Sequence, residues 1–292
     1  MISEARWENG PIHAILRRFY FATEDDAVDI SHRQGWGGGF LLENFSSLTT
    51  ALGILAIIVI GIFVGVWLGG RLPTNHLSKE SQDTITISIG MVAAMTSLVL
   101  GLLTAEVKSA YDAADSEIKQ QAARLQEMNM GTREIDAPSA ATIRQNLARL
   151  ASLAVAETFE GAGPQGRSAE IYMSTYQTIM NLPAPTILEQ QVRSDLHDEL
   201  ADLAAHRVEV LQATKGTIPA PFLYMMVAWT AMIFMCWAIF APRNATVICI
   251  LIICAASVSG ALFLILEMDT PFDGIIAISS EPLRGAIAAL AL

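Results

Sequence analysis

The sequence predicts an all-α integral membrane protein: four transmembrane helices in two hairpins, with a helical cytoplasmic domain between the second and third. Three observations carry that reading. Four apolar stretches, residues 48–70, 84–104, 222–241 and 245–266, contain no Asp, Glu, Lys or Arg. Each is about as long as the ~20 residues a helix needs to cross the hydrocarbon core. They fall in two close pairs, and the long polar block between them keeps helical rather than strand-like periodicity. Lipid satisfies no backbone polar group, so such spans must be helical. The chain then divides into a polar N-terminal segment (1–47), a first hairpin (48–104), a helical cytoplasmic domain (105–219), a second hairpin (220–267) and a C-terminal juxtamembrane segment (268–292).

Before the first span, Trp7, Ile12, Ile15, Leu16 and Phe19 are spaced to form one side of a short surface-lying helix. The run GWGGG at 35–39 breaks any helix there. Glu24, Asp25, Asp26 and Asp29 precede the first long apolar run. No signal peptide is therefore expected, and the first span is read as a retained anchor. Within that span, Gly61, Gly65 and Gly69 recur every four residues. They make a smooth strip on which another helix packs closely.

The second span carries the most information. Thr86, Gly90, Ala93, Ser97, Gly101, Thr104, Lys108 and Tyr111 follow one another at spacings of three or four. They occupy one narrow arc of a helix, while Met91, Met95, Val99 and Leu102 lie opposite. One face is small and hydroxyl-bearing, the other bulky and apolar. Such a strip suits a pore wall, where small residues leave room and hydroxyls meet water or ions. It equally suits a helix-packing face built from small residues and Ser/Thr hydrogen bonds. Spacing does not separate the two.

Nothing breaks this helix until Gly131 and Pro138, so it is expected to run on beyond the membrane, with Ile118, Ala122, Leu125 and Met128 or Met130 on its apolar side. Soluble helices follow at 140–159, with Ile143, Leu147, Leu150 and Ala154 buried, and at 169–180 after a loop at 161–166. A fourth is expected at 187–213, with Val192, Leu196, Leu200 and Leu203 buried. Thr186 and Glu189 form a capping box for it. Gly216, Pro219 and Pro221 end it before the third span.

Trp67, Trp229 and Trp237 lie in or near span ends, where amphipathic rings suit the interface. Cys236, Cys249 and Cys254 all lie in spans and read as small apolar filler. The fourth span exits through Glu267, Asp269 and Asp273, three carboxylates near a Pro- and Gly-containing turn. They offer oxygen contacts to a hard cation, or form a solvated membrane exit whose acids pair with Arg284 or with central-block bases. Ser280 is the expected N-cap of a short terminal helix, which would pack under the membrane or on a neighbouring subunit.

Charge sets the orientation. Fifteen Lys and Arg fall in the two termini and the central block, against three in the short loops. That places both termini and the block on the cytoplasmic face, with Lys108 and Lys215 weighing most. The net charge of −11, and sixteen acids against ten bases in the central block, exclude nucleic acid as a partner. No serine-hydrolase, phosphate-loop, HExxH or CxxC motif is present. The five histidines (His13, His32, His76, His197 and His206) are scattered. The chain is read as no enzyme, with no cofactor.

Three segments carry a resemblance: LVLGLLTAEVKSAYD at 98–112, PFLYMMVAWTAMIFMCWAIFAPRN at 221–244 and FLILEMDTPFDGIIAISSEPLR at 263–284. They resemble the bestrophin-like domain of unknown function found in bacterial integral membrane proteins, over residues 48–292. The third segment is the most specific, with its acid-containing turn, Pro-Phe and Ser-Ser-x-Pro-Leu-Arg. The resemblance implies likeness to bestrophins, oligomeric anion channels whose second span lines the pore. It implies a homo-oligomer in the bacterial inner membrane, in contact with lipid and passing inorganic ions, with Thr86, Gly90, Ala93, Ser97, Gly101, Thr104 and Lys108 on the pore wall. The aromatic neck and acidic calcium clasp of bestrophins have no counterpart in this sequence, and Asp269 and Asp273 match the clasp only in chain position. The competing reading is a non-conducting membrane anchor or assembly protein that recruits a partner through its acidic helical domain.

Overall fold

The computed structural model describes residues 47–73, 78–160, 167–213, 216 and 218–291. The N-terminal helix face (Trp7 to Phe19), the glycine run at 35–39, the loop at 161–166 and Lys215 lie outside the described residues. The helices are α1 (Ser47–Gly69), α2 (Lys79–Gly131), α3 (Ala137–Phe159), α4 (Arg167–Met180), α5 (Ile187–Ala213), α6 (Ala220–Phe240), α7 (Ala245–Asp269) and α8 (Glu281–Leu290). There is no strand among the described residues. Helices α1, α2, α6 and α7 are long and apolar enough to cross a membrane. The described residues fall into two compact units, one drawn from 47–111 and 216–276, the other from 112–213 and 277–291. Helix α2 is continuous across that division.

In the first unit, α1 packs on α6 and α7. Ile54, Ile58 and Ile62 bury against Val227, Phe234, Ala238, Ala255 and Leu262. The glycine strip sets the approach to α6. A Cβ at Gly61 would sit 3.2 Å from the Ala231 carbonyl oxygen, and at Gly65 and Gly69 it would overlap the Met235 and Ile239 carbonyls. The register climbs by four residues on both helices, so α1 and α6 run parallel. Dispersion and close backbone contact replace hydrophobic drive where the surroundings are lipid. Ser259 adds a polar tie to α7, donating its hydroxyl to the Ala51 carbonyl at 2.8 Å. At the end of α1, the Arg71 guanidinium lies over the Trp67 ring at 4.1 Å.

The second unit is a helical bundle whose buried residues follow the expected stripes. Ile118, Ala122, Leu125 and Met128 bury on α2, and Ile143, Leu147, Leu150 and Ala154 on α3. Val192, Leu196, Leu200 and Leu203 do so on α5. Met130 falls off the stripe and is exposed. Asp136 caps α3 by accepting from the Ser139 amide at 3.0 Å, with Pro138 in the first turn. The capping box of α5 forms as expected. Thr186 donates its amide to Glu189 Oε2 at 3.0 Å, and Glu189 returns its amide to Thr186 Oγ1 at 3.2 Å. Hydrogen bonds from Thr186 hold the Glu189 carboxyl below the usual carboxylate range.

The C-terminal segment departs from expectation. Residues 277–291 belong to the helical bundle, where Leu283, Ala286 and Leu290 of α8 bury and the helix packs on α3. Its apolar stripe is thus buried within the chain. Asn129 ties α2 to it, donating to the Ala289 carbonyl at 3.0 Å. Ser280 is also not the side-chain cap: its backbone is already helical, and Ser279 Oγ accepts from the Glu281 amide at 3.2 Å.

One feature of the bundle escapes stripe reasoning. Arg207 is 2% exposed, and its Nη2 donates to Glu157 Oε2 at 2.7 Å while Nη1 donates to Thr158 Oγ1 at 2.7 Å. Ser168 donates to the other Glu157 oxygen at 3.2 Å. Tyr172, buried beside this pair, donates its hydroxyl to the Leu203 carbonyl, and burial pushes its phenol well above the ordinary value.

Four variants test this packing in detergent-solubilised protein. Gly65→Leu drives a side chain into the α6 backbone and costs about 1–3 kcal/mol, read as a lowered melting temperature. Gly53→Ala, where nothing lies within 4 Å, leaves the melting temperature unchanged or slightly raised. Arg207→Ala leaves Glu157 buried and unpaired and costs about 3–5 kcal/mol. Pairing Arg207→Met with Glu157→Leu recovers most of that loss in the same measurement.

Candidate functional site

The membrane part of α2 is the least packed of the four spans. Only 11% of its apolar window is buried within the chain, against 22–28% in the other three. At about 100° per residue it presents three faces. Ile89, Thr96, Leu103 and Val107 form the buried one. Leu103 and Val107 cluster with Ile265 and are flanked by Leu100, Ile218 and Met268. Ile87, Met91, Met95, Leu98 and Leu102 form a bulky apolar face that is two-thirds exposed or more.

The third face is the strip of small and hydroxyl residues. Thr86, Gly90, Ser97, Gly101, Thr104 and Lys108 are exposed on it, and Ala93 and Tyr111 are half-buried at its margin. A Cβ at Gly90 or Gly101 would meet nothing within 4 Å. These glycines therefore do not serve close packing inside the chain, in contrast to Gly61, Gly65 and Gly69. Thr86 and Thr104 each donate the hydroxyl to the carbonyl four residues back, on Gln82 and Leu100, at 2.7 Å. Their outward side then offers oxygen lone pairs. Ser97 Oγ has no hydrogen-bond partner among the described residues. At the far end the Lys108 ammonium lies 5.9 Å from the centre of the Tyr111 ring. The arrangement is a smooth exposed face along one helix, with hydroxyl oxygens on it and a cation at its end.

The three acids after the fourth span turn to different partners. Glu267 is 1% exposed, and its Oε1 accepts from the amides of Ile275 and Ile276. It thereby closes the turn in which Gly274 has φ +93°. A Cβ at Gly274 would overlap the Glu267 carboxylate, so glycine is required there on two counts. Asp269 Oδ1 accepts from the Ile218 amide at 3.2 Å, pinning the start of α6 to the end of α7. Asp273 is exposed. The three carboxylates do not converge on one point. Arg284 pairs with Glu160, at 3.9 Å, within the bundle.

The bundle does bring together residues that sequence reading left scattered. His206 meets Glu117 from 89 positions earlier, with Glu209 one turn on. The local signal was the three-residue spacing of His206 and Glu209; the partner on α2 was invisible without the fold.

Comparison with known proteins identifies the architecture. The family described as Bestrophin-like domain matches residues 56–283. No curated protein matches the chain. Among solved structures, a point mutant of a bacterial bestrophin homologue from Klebsiella pneumoniae is similar, with a TM-score of 0.60 and 13% identity over 84% of this chain and 99% of that one. A second mutant of that homologue has a TM-score of 0.52 and 13% identity, over 85% of this chain and 97% of that one. A mutant described only as a membrane protein has a TM-score of 0.50 and 12% identity, over 82% and 97%. At such identities the likeness is one of fold.

The turn after α7 gives a test. Glu267→Ala leaves the Ile275 and Ile276 amides without their acceptor and costs about 1–3 kcal/mol. Gly274→Ala, forced into a left-handed backbone against that carboxylate, costs about 1–2 kcal/mol. Both lower the melting temperature, and the double variant loses less than the sum of the two.

Proposed function

This chain belongs to the bestrophin-like family, and from that premise we propose that it is a multi-pass membrane protein whose subunits assemble around an axis lined by α2 and conduct small inorganic ions. The observation that carries the reading is the strip from Thr86 to Thr104: small, hydroxyl-bearing, exposed in one subunit, and with open space over Gly90 and Gly101. A span so lightly packed within its own chain needs water, lipid or another subunit on its remaining faces. The bulky face from Ile87 to Leu102 suits lipid or a neighbouring subunit; the smooth strip suits a hydrated path.

The electrostatics favour cations over anions. The chain carries a net charge of −11, and a strongly acidic protein concentrates cations around itself. Threonine hydroxyls donated to the backbone leave lone pairs for a cation along the path. The distribution of basic residues supports an inner-membrane orientation with the helical block and both termini in the cytoplasm.

Purified protein in planar bilayers is expected to conduct, with reversal potentials that follow the cation gradient. Ser97→Phe and Gly101→Leu narrow the path and lower unitary conductance several-fold, with the oligomer unchanged in size on gel filtration. Silent bilayers from well-folded oligomers overturn the proposal in favour of a non-conducting anchor that recruits a partner through its acidic helices.

A further inference from the structure

We infer that Glu117, His206 and Glu209 form a binding site for one divalent transition-metal ion of the Zn2+ class, built between α2 and α5 within the helical bundle. One ligand atom from each residue lies within 4.8 Å of the other two. His206 Nδ1 and Glu117 Oε2 are 2.6 Å apart, and both side chains are 18% exposed. Glu209 is exposed. His206 and Glu209, three apart on α5, share a helix face, and Glu117 meets them from α2. The cluster is therefore closed on its protein side and open on the Glu209 side, where water can complete a coordination sphere.

The donor chemistry selects the ion. Two carboxylates and a neutral imidazole bring a charge of −2, which a divalent cation cancels. Ca2+ and Mg2+ favour oxygen-only shells, whereas an imidazole suits Zn2+ and its neighbours in the first transition row. A tetrahedral ion holds its N and O ligands about 3.3 Å apart at ordinary Zn2+ bond lengths. The 2.6 Å hydrogen bond between His206 and Glu117 must open by well under 1 Å to admit one. On binding, Nδ1 of the neutral imidazole offers its lone pair to the metal, with the ring proton on Nε2, and the metal takes the place of the hydrogen bond between the two groups.

The helices that carry the ligands are already fixed. Arg207, next to His206, is locked to Glu157 and Thr158 inside the bundle, which sets the rotation of α5. Arg124 of α2 reaches Glu199 at 3.4 Å and Asp202 at 3.2 Å on α5, about two turns along from Glu117. Two helices held in register by other contacts present three ligands at little reorganisation cost. The site makes no use of the strip on the membrane part of α2 and stands whether or not the protein conducts.

The test uses untagged full-length protein in detergent, titrated with ZnCl2 alone by calorimetry and by competition with a chromophoric chelator. The expected result is binding of one Zn2+ per chain at this site and a rise in melting temperature, with no rise from equal Ca2+ or Mg2+. His206→Gln abolishes both. Glu209→Gln, at an exposed position that leaves the bundle intact, weakens binding on the order of tenfold to a hundredfold. Co2+ gives the absorption of a low-symmetry nitrogen and oxygen site in the native protein, and this is lost in His206→Gln. Should His206→Gln fail to fold, Glu209→Gln and Glu117→Gln carry the test. Absence of Zn2+ binding, or equal binding by the native protein and the Glu209→Gln and Glu117→Gln variants, overturns the site.

Discussion

The close approach of α1 to α6 is the contact from which the membrane unit is organised. Lipid tails are as apolar as leucine, so spans gain little by exchanging one for the other and must find their attraction in near-contact of backbones. Gly61, Gly65 and Gly69 allow it, because each would place a side chain against a carbonyl of α6 if it carried one. With α7 tied to α1 through Ser259, three spans form a compact set. Helix α2 shares in it only through the buried edge from Ile89 to Val107. The light packing of α2 is thus the complement of the tight packing elsewhere.

The helical bundle is held by different physics. The apolar stripes of α2, α3 and α5 are buried inside it and supply the drive through burial. The Arg207 and Glu157 pair adds geometry more than stability. Two charges removed from water regain in Coulomb attraction and hydrogen bonds roughly what desolvation costs. Three hydrogen bonds converge there from α4 and α5 onto the end of α3, which fixes how these helices rotate about their axes. That rotation brings His206 towards α2.

Two kinds of glycine in adjacent spans illustrate why composition alone does not assign a role. Gly61, Gly65 and Gly69 of α1 are filled against a neighbour within the chain, and Gly90 and Gly101 of α2 face open space. Both sets occur at helical spacing among apolar residues. The family match spans residues 56–283, and the solved relatives share the fold at 13% identity and below. The helical fold thus survives when almost every side chain differs, because it asks only for apolar length and helical periodicity. The chemistry of the strip on α2 is a property of these particular residues.

By itself the sequence determined which four helices are long and apolar enough to span a membrane, the long second helix, the limits of α5 and its capping box, and the buried stripes of the bundle. These depend on local periodicity and on the refusal of lipid to bond a backbone, and both are written in consecutive residues. It singled out the Gly61 strip as a packing surface without its partner, and the Thr86 strip without its surroundings. Only the tertiary structure decided that α8 packs on α3, and that Glu267 bonds its own turn while Asp269 bonds the start of α6. Only it brought Glu117 to His206 and Arg207 to Glu157. Those pairings join residues far apart in the chain, and what selects them is the rotation and register of whole helices, set by every packed side chain at once rather than by any local run.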